Sequence, residues 1–306
     1  MKIIAMIEDF EKHLKTKGFA ERTIRTYIGY VGIFADFLSK NEVYDIEDIN
    51  RDKVSRYQTS LCTKNEFNQR KLSMKTQALR MVAVISFSKF LHRAGYLENN
   101  PASHIEIPRT PKSLPKNILS EKEVLQILKS PKDNDPLEIR DRAILELFYS
   151  TGIRNTELRK LCIYDIDFSR GFIRVTGKGN KDRIIPMGDV ASWYIEEYMK
   201  RSRPKLVKGT SDVLFVSRNG KELTDDMPSW MVRKYAARIG ITKQINAHTF
   251  RHTFATHMIK KGANLRIVQE MLGHSSLETT QIYTKVEIGD LKKVHASTHP
   301  REVDLV

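Results

Sequence analysis

The sequence of 306 residues has only two cysteines, Cys62 and Cys162, far apart and in apolar surroundings. So few cysteines exclude a disulfide framework, and they are interpreted as reduced residues of the core. No uninterrupted apolar run approaches membrane-spanning length. The apolar first ten residues are interrupted by Lys2, Glu8 and Asp9, which predicts an amphipathic helix rather than a secretion signal. We therefore expect a cytoplasmic protein that does not enter a membrane.

Two features on which most phosphate enzymes depend are also absent. There is no cluster of carboxylates to hold magnesium, and Lys178 lacks the spacing and the following Ser or Thr of a nucleotide-binding loop. A zinc site at His248 and His252 is disfavoured because Thr249 stands where the metalloprotease motif has Glu. Arg251 nearby would also repel a cation. We expect neither a metal nor a nucleotide cofactor.

Positive charge, by contrast, is abundant. The chain has 52 Lys and Arg against 37 Asp and Glu, a formal net charge of +15. An excess spread along the whole chain favours a nucleic-acid partner, although a soluble basic protein without one has the same count. The hydrophobic fraction of 40% suffices for a packed core in each of two domains.

Apolar residues at helical spacing occupy the first part of the chain. They predict helices over four segments: 3–14, 21–38, 52–61 and 73–94. Gly95 is expected to end the fourth helix, and the apolar stripes, Ile4 and Leu79 included, are interpreted as core. Prolines 108, 111 and 115, with basic residues between them, then predict an extended linker. The predicted domains are a helical domain, 1–106, a basic linker, 107–117, and a second domain, 118–306.

The second domain is predicted to be helical around a small sheet. Ser120 and Glu123 have the spacing of a capping box at its start. Helices are predicted over seven segments: 120–129, 138–150, 189–201, 226–239, 247–261, 264–272 and 278–285. Strands near 172–175 and 183–187, with the glycine-rich turn 177–180 between them, predict a hairpin. The fold class is mainly α with a small antiparallel β-sheet.

Six residues of this domain together suit phosphodiester chemistry: Arg154, Lys178, His248, Arg251, His274 and Tyr283. Each alone has an ordinary interpretation, such as an Arg154–Glu157 surface pair, a solvated turn lysine or a half-buried tyrosine. Together they supply positive charge, a proton donor and a proton acceptor without a metal.

The set predicts a division of roles around Tyr283 as nucleophile. A tyrosine hydroxyl titrates near pH 10 when unperturbed, so His248 is placed to accept its proton or to position the phosphate. Arg154 and Arg251 would stabilise the charge of the transition state. Lys178 would protonate the leaving 5′ oxygen, and His274 would hydrogen-bond a non-bridging oxygen.

The motifs that carry these residues resemble those of the tyrosine recombinases, the phage integrase family, and most of all its Xer type. The matching stretches are 151–158, 177–186, 248–258 and 272–283. Residues 21–27 resemble the family's helical core-binding domain, and 299–301 resemble Xer C-termini. All six site positions carry the residue of the family pattern.

The resemblance implies a SAM-like core-binding domain and an α+β catalytic domain that form a C-shaped clamp on double-stranded DNA. Four protomers, identical or shared with a paralogue, would assemble on two sites, with or without an activating protein partner. Tyr283 would form a 3′-phosphotyrosyl bond and release a 5′-hydroxyl, leading through a Holliday junction without ATP or metal. We also expect the apolar C-terminal residues Val303, Leu305 and Val306 to dock on a neighbouring protomer.

The expected role is resolution of chromosome or plasmid dimers, since no additional domain precedes the core-binding helices in this sequence. Integration of a mobile element stays open. Three other interpretations remain: a type IB topoisomerase, a non-catalytic DNA-binding protein on a recombinase scaffold, and a metal-dependent nuclease. The compact layout and C-terminal tail disfavour the first, and the complete six-residue set disfavours the second.

Overall fold

The computed structural model describes residues 1–63, 71–107, 117–177, 182–273 and 288–303. The chain divides into two compact units, Met1–Ser113 and Leu114–Val306. Within the described residues, no helix is long and apolar enough to cross a membrane. The residues Lys178, His274 and Tyr283, which the sequence places in the site, lie outside the described residues.

The first unit is helical, as predicted, with helices close to the four expected segments. These are α1 (Ile3–Thr16), α2 (Glu21–Lys40), α3 (Arg51–Cys62) and α4 (Met74–Arg93). Gly95 follows the end of α4 with a φ of +78°, which confirms the predicted stop. The large side chains of Phe10, Phe34 and Phe87 are fully buried in the core of this unit.

Two of the residues expected in this core face solvent. Ile4 is 73% exposed and Leu79 is 43% exposed. A helix turns by about 100° per residue, so the neighbour of a buried residue lies off the buried stripe. Ile3 and Ala78 take the buried positions next to these two residues.

The two thiols are free, but their predicted burial in the core is wrong. Cys62 is exposed and Cys162 is only partly buried. Cys62 is the last residue of α3, where the helix leaves the core of the first unit. Apolar neighbours in sequence therefore do not bury this side chain.

The second unit is built around one buried helix. Its helices are α5 (Glu121–Lys129), α6 (Pro136–Thr151), α7 (Asn155–Lys160), α8 (Asp189–Glu197), α9 (Arg203–Leu206), α10 (Met227–Arg238), α11 (Ala247–Lys260), α12 (Leu265–Leu272), α13 (Ile288–Thr298) and α14 (Pro300–Val303). The segment Tyr198–Ser202 continues α8 as a π-helix. Helix α6 is buried at every position from residue 138 to 151. The capping box of Ser120 and Glu123 at the start of α5 is present, as predicted.

The strands of the described residues form one antiparallel sheet. It contains β1 (Ile166–Asp167), β2 (Phe172–Thr176) and β3 (Asp182–Pro186), in that order. The pairing of Thr176 with Asp182 confirms the predicted hairpin, although its tip, 178–181, lies outside the described residues. The sequence did not predict β1, because two residues are too few to show an alternating pattern.

The C-terminal helices α13 and α14 pack on the same unit. His295 and His299 are buried, and their Nε2 atoms lie 2.7 Å from Ser150 O and 2.9 Å from Tyr149 O on α6. These helices were not predicted, and the helix predicted at 278–285 lies outside the described residues. The segment expected to reach a neighbouring protomer overlaps these helices, since its first residue, Val303, ends α14. Its last residues, 304–306, are also outside the described residues.

Candidate active site

The site begins where the central helix α6 ends. Gly152 ends α6 with a φ of +59°, and a Cβ atom there would lie 2.6 Å from Phe254 Cδ1. A residue with a side chain is thus disfavoured by both the backbone and the packing. The chain turns and starts α7 at Asn155, three residues later, with Arg154 at the N-cap. Since α6 is buried from residue 138 to its end, it fixes the position of Arg154 on the unit.

Arg154 makes the ordinary pair that the sequence suggested and a second contact that it did not. Its Nη1 donates to Glu157 Oε1 at 2.7 Å, and its backbone N–H donates to Glu157 Oε2 at 2.9 Å. Its Nη2 donates to the carbonyl oxygen of Gly273 at 2.6 Å. The Arg154 side chain remains 31% exposed, whereas the side chain of Glu157 is 4% exposed.

Arg251, on α11, is a buried cation. Its Nη1 donates to Gly152 O at 2.7 Å, and its Nη2 donates to Leu272 O at 2.5 Å. Burial, together with the nearby positive charge of Arg154, lowers the pKa of Arg251 to about 9. Among the described residues, no carboxylate forms an ion pair with it at contact distance. Its charge is therefore only partly compensated, and an anion brought to this place would be stabilised.

A third arginine, Arg183 on β3, completes the arrangement. Its Nη1 and Nη2 donate to the two carboxylate oxygens of Glu157 at 2.7 and 2.9 Å. Its Nε donates to Met271 O at 3.0 Å. Burial alone would raise the pKa of Glu157, but the bonds from Arg183 and Arg154 prevail and lower it to about 2. Glu157 is thus a carboxylate at any pH near neutral.

Three successive carbonyl groups at the C-terminal end of α12 receive these three arginines. Met271, Leu272 and Gly273 accept from Arg183, Arg251 and Arg154 respectively. The last carbonyls of a helix lack partners within it and carry partial negative charge, so cations are favoured there. Gly273 has the φ of +62° that the predicted helix stop requires. The residue that follows in the chain is His274.

The structure places the remaining predicted residues as follows. His248 lies on α11 one turn before Arg251, as predicted, but it is exposed where Arg251 is buried. Lys178 lies between β2 and β3 in the sequence, outside the described residues. His274 and Tyr283 follow α12 in sequence and are also outside the described residues. The structure therefore brings Arg154 and Arg251 together. That Lys178, His274 and Tyr283 join them in one site stays a prediction.

Two residues of this cluster escaped the interpretation of the sequence. Glu157 was considered only as a partner that would make Arg154 unremarkable, and Arg183 was considered only as a strand residue. A signal for Arg183 did exist. Residues two apart on a strand share a face, so Arg183 is on the side of Ile185, which is fully buried. A charged residue on a buried face needs a partner, and Glu157 is that partner.

The cluster is built for an anion. Three guanidinium groups and one carboxylate give a net charge of +2 at the end of α12. In the part of the chain that the structure describes, no group of three His, Cys, Asp or Glu residues could hold a metal ion. Fixed positive charge in a partly buried position suits a phosphate and the further charge that phosphoryl transfer develops.

Two family models match the chain, one in its N-terminal part and one in its C-terminal part. The Phage integrase family model matches residues 117–288, and the model of the phage integrase N-terminal SAM-like domain matches residues 6–95. The first covers more than half of the chain and contains all six residues that the sequence predicted for the site.

Known relatives give the same assignment. Tyrosine recombinase XerD of Halalkalibacterium halodurans is 39% identical over 288 residues, which are 93% of this chain and 94% of that protein. Tyrosine recombinase XerC of Oceanobacillus iheyensis is 38% identical over 299 residues, which are 96% of each. A lambda integrase tetramer bound to a Holliday junction shares the fold at 17% identity, with a TM-score of 0.68 over 94% of this chain and 81% of that one. The chain therefore belongs to the phage integrase family of tyrosine recombinases.

Proposed function

We propose that this protein recombines two copies of a short DNA site and thereby resolves dimers of a chromosome or plasmid. Its family makes it an enzyme that cleaves and rejoins DNA strands. The observation that best supports the proposal is the convergence of Arg154 and Arg251 on neighbouring carbonyls, those of Gly273 and Leu272. Two arginines held side by side offer paired donors to the oxygens of one phosphate.

The proposed chemistry exchanges one phosphoester for another. The Tyr283 oxygen attacks the scissile phosphorus, its proton passes to His248, and the bond to the 5′ oxygen breaks. Lys178 donates a proton to that oxygen, so a 5′-hydroxyl leaves and a 3′-phosphotyrosyl bond remains. Arg154, Arg251 and a hydrogen bond from His274 stabilise the charge on the non-bridging oxygens. Because an ester bond replaces an ester bond, the step requires no ATP.

Strand exchange then uses the same steps in reverse. The free 5′-hydroxyl of the partner DNA attacks the phosphotyrosyl bond and releases Tyr283, which leaves a Holliday junction after the first pair of strands. A second round by the other protomers resolves that junction. Since each round consumes and regenerates one phosphoester per strand, the products have the same number of bonds as the substrates.

The domain roles and partners follow the family. We propose that 1–106 binds the DNA core site, that 107–117 connects the domains, and that 118–306 carries the chemistry, all in the cytoplasm. A tetramer on two DNA sites is supported by the assembly of lambda integrase on a Holliday junction. Similar identity to relatives named XerC and XerD supports either a homotetramer or a heterotetramer with a paralogue, with or without an activating protein partner.

One experiment tests whether Tyr283 is the nucleophile and at the same time identifies the target DNA sequence. The protein is expressed in cells, DNA attached covalently to it is recovered after denaturation, and the attached sequences are read. We expect one short sequence joined through its 3′ end to Tyr283, and no attached DNA with Tyr283→Phe. Attached DNA that survives in the Phe variant would mean that another residue attacks.

A second experiment tests the biological role. Two direct copies of the recovered sequence are placed on one plasmid, and the products are followed over time. Dimer resolution predicts two smaller circles that persist, in the presence of EDTA as well as magnesium. Stable insertion of a mobile segment at new positions, in place of circle resolution, would instead indicate an integrase.

A further inference from the structure

We infer that Arg183 is a positioning residue for the strand-cleavage reaction, in addition to the six residues proposed to act on the phosphate. It lies on β3, and its side chain is only 14% exposed. Its donors are directed at protein groups, two at Glu157 and one at Met271 O. The inference rests on the proposed function, because it assigns to Arg183 the task of arranging Arg154 and the end of α12 for that reaction.

The first part of the argument is the sharing of one carboxylate by two arginines. Oε1 of Glu157 accepts from Nη1 of both Arg154 and Arg183, each at 2.7 Å. Oε2 accepts from the Arg154 backbone N–H and from Arg183 Nη2, each at 2.9 Å. The Glu157 side chain is 4% exposed, so water contributes little to its solvation. The position of the Arg154 guanidinium thus depends on how Arg183 holds Glu157.

The second part concerns charge. Without Arg183, the buried carboxylate of Glu157 would be compensated by Arg154 alone. The Arg154–Glu157 pair would then be neutral, and an incoming phosphate would face a carboxylate a few ångströms away. Arg183 neutralises Glu157 and leaves the charge of Arg154 available to the phosphate. This effect reaches the reaction through charge, and a purely packing role would not produce it.

The third part concerns the elements that Arg183 joins. Strand β3 begins four residues after Lys178 in the sequence, and Met271 lies in the last turn of α12, three residues before His274. A Cβ atom on Gly273 would lie 2.9 Å from Arg183 Nε, which shows how closely the two segments approach. One side chain therefore links the hairpin that carries the proposed proton donor to the helix end that precedes the remaining site residues.

The test compares cleavage rates on a nicked DNA substrate made from the recovered site, at saturating DNA. We expect Arg183→Gln to form the covalent adduct about 10²-fold more slowly, as for a small displacement of reacting groups. DNA affinity should remain near that of the wild type. Adding Glu157→Gln to Arg183→Gln should restore about tenfold of the loss, because the uncompensated carboxylate is then gone. Arg183→Lys, which keeps the charge but not the forked geometry, should fall between the wild type and Arg183→Gln.

Arg203 supplies the matched control. It is a partly buried arginine of the same unit that donates to backbone carbonyls, Leu214 O at 3.1 Å and Val213 O at 2.8 Å, and contacts none of the three arginines of the site. Arg203→Gln should lower the unfolding midpoint without slowing cleavage below that midpoint. Arg183→Gln at the wild-type rate, or a double variant no faster than Arg183→Gln, would overturn the inference. A wild-type protein that forms no adduct would instead overturn the proposed function.

Discussion

The side chain of Arg251 donates a hydrogen bond of 2.5 Å to the carbonyl oxygen of Leu272 and is itself 7% exposed. A buried cation thus caps the C-terminal end of α12, the helix that precedes His274 in the sequence. The segment that carries Tyr283 begins there. Movement of this helix end would displace the Leu272 carbonyl that accepts from Arg251, and rearrangement of Arg251 would leave that carbonyl without its donor.

We expect loss of either site arginine to affect the chemistry far more than the binding of DNA. Arg154→Ala or Arg251→Ala should slow adduct formation by about 10³–10⁵, the range found when an arginine that stabilises phosphoryl transfer is removed. Binding depends on many phosphate contacts along the site and should change little. Adduct yield over time, at saturating DNA, measures the first effect, and a gel-shift titration measures the second. A loss that disappears when DNA is raised would show that the arginines act in binding.

Without DNA, the cluster should bind a small tetrahedral anion. Sulfate that binds the folded protein alone, at ten times its Kd, would raise the free energy of unfolding by about 1.4 kcal/mol. The stabilised group is Arg251, whose pKa of about 9 reflects burial of its charge and the nearby charge of Arg154. Urea unfolding in sodium sulfate and in sodium chloride of equal ionic strength measures the increment. Arg251→Gln should abolish the increment and Arg203→Gln should keep it; equal increments in both variants would place the sulfate elsewhere.

Much of the fold followed from local signals in the sequence. The capping box at Ser120 and the helix stops at Gly152 and Gly273 act within a few residues of themselves, so a sequence pattern shows them. The arginine cluster could not be predicted from a local pattern, because Arg183 and Met271 are 88 positions apart and only the folded chain brings them together. Helix α13 escaped prediction for another reason. Its buried face includes His295, a residue type that patterns of apolar spacing count as polar.

Gly273 allows a direct test of the close approach to Arg183. Gly273→Ala would place a Cβ 2.9 Å from Arg183 Nε and keep a residue with φ near +62°. A suitable control is Gly240→Ala, since Gly240 has a φ of +77° and no atom near the added Cβ. Both variants should lose about 1–2 kcal/mol of stability, because the left-handed conformation is unfavourable for alanine. Only Gly273→Ala should also slow cleavage, by about 10²-fold; equal cleavage by the two variants would show that the approach has no catalytic consequence.

The buried histidine of α13, His295, predicts a loss of stability in acid. Burial lowers the pKa of His295 to about 4, so the folded protein leaves it neutral while the unfolded chain protonates it near pH 6.5. A folded pKa below the unfolded one means that stability is complete above pH 6.5 and falls as the pH drops towards 4. Between pH 7.5 and pH 5 this group alone should cost about 2 kcal/mol.

The measurement is urea unfolding followed by tryptophan fluorescence. Both tryptophans, Trp193 and Trp230, belong to the second unit, so the signal reports on the unit that contains His295. His295→Gln should be less stable at neutral pH and should lose about 2 kcal/mol less than the wild type on acidification. The exposed His252 provides the control, and His252→Gln should keep the full acid dependence. An unchanged dependence in His295→Gln would assign the effect to other groups.

Truncation of the C-terminus at two different points should separate a role in the stability of the second unit from a role in docking on a neighbouring protomer. Deleting 296–306 removes His299, whose Nε2 lies 2.9 Å from Tyr149 O, and Arg301, which donates to the buried Glu146 at 2.9 Å. Each buried group left without its partner costs about 1–3 kcal/mol, so this deletion should destabilise the second unit itself. A loss of assembly in it would therefore not show docking on a neighbouring protomer.

Deleting only 304–306 avoids that difficulty, because the contacts of His299 and Arg301 remain. The expectation that Leu305 and Val306 dock on a neighbour predicts an unchanged unfolding midpoint and unchanged binding to a single DNA site. Assembly of two DNA sites into one complex, measured by sedimentation or by a gel shift with two lengths of DNA, should weaken. The reason is that apolar side chains buried between protomers contribute only when a second protomer is present. Full assembly after this shorter deletion would remove docking by Leu305 and Val306 from the mechanism and leave the C-terminal helices with a role in stability alone.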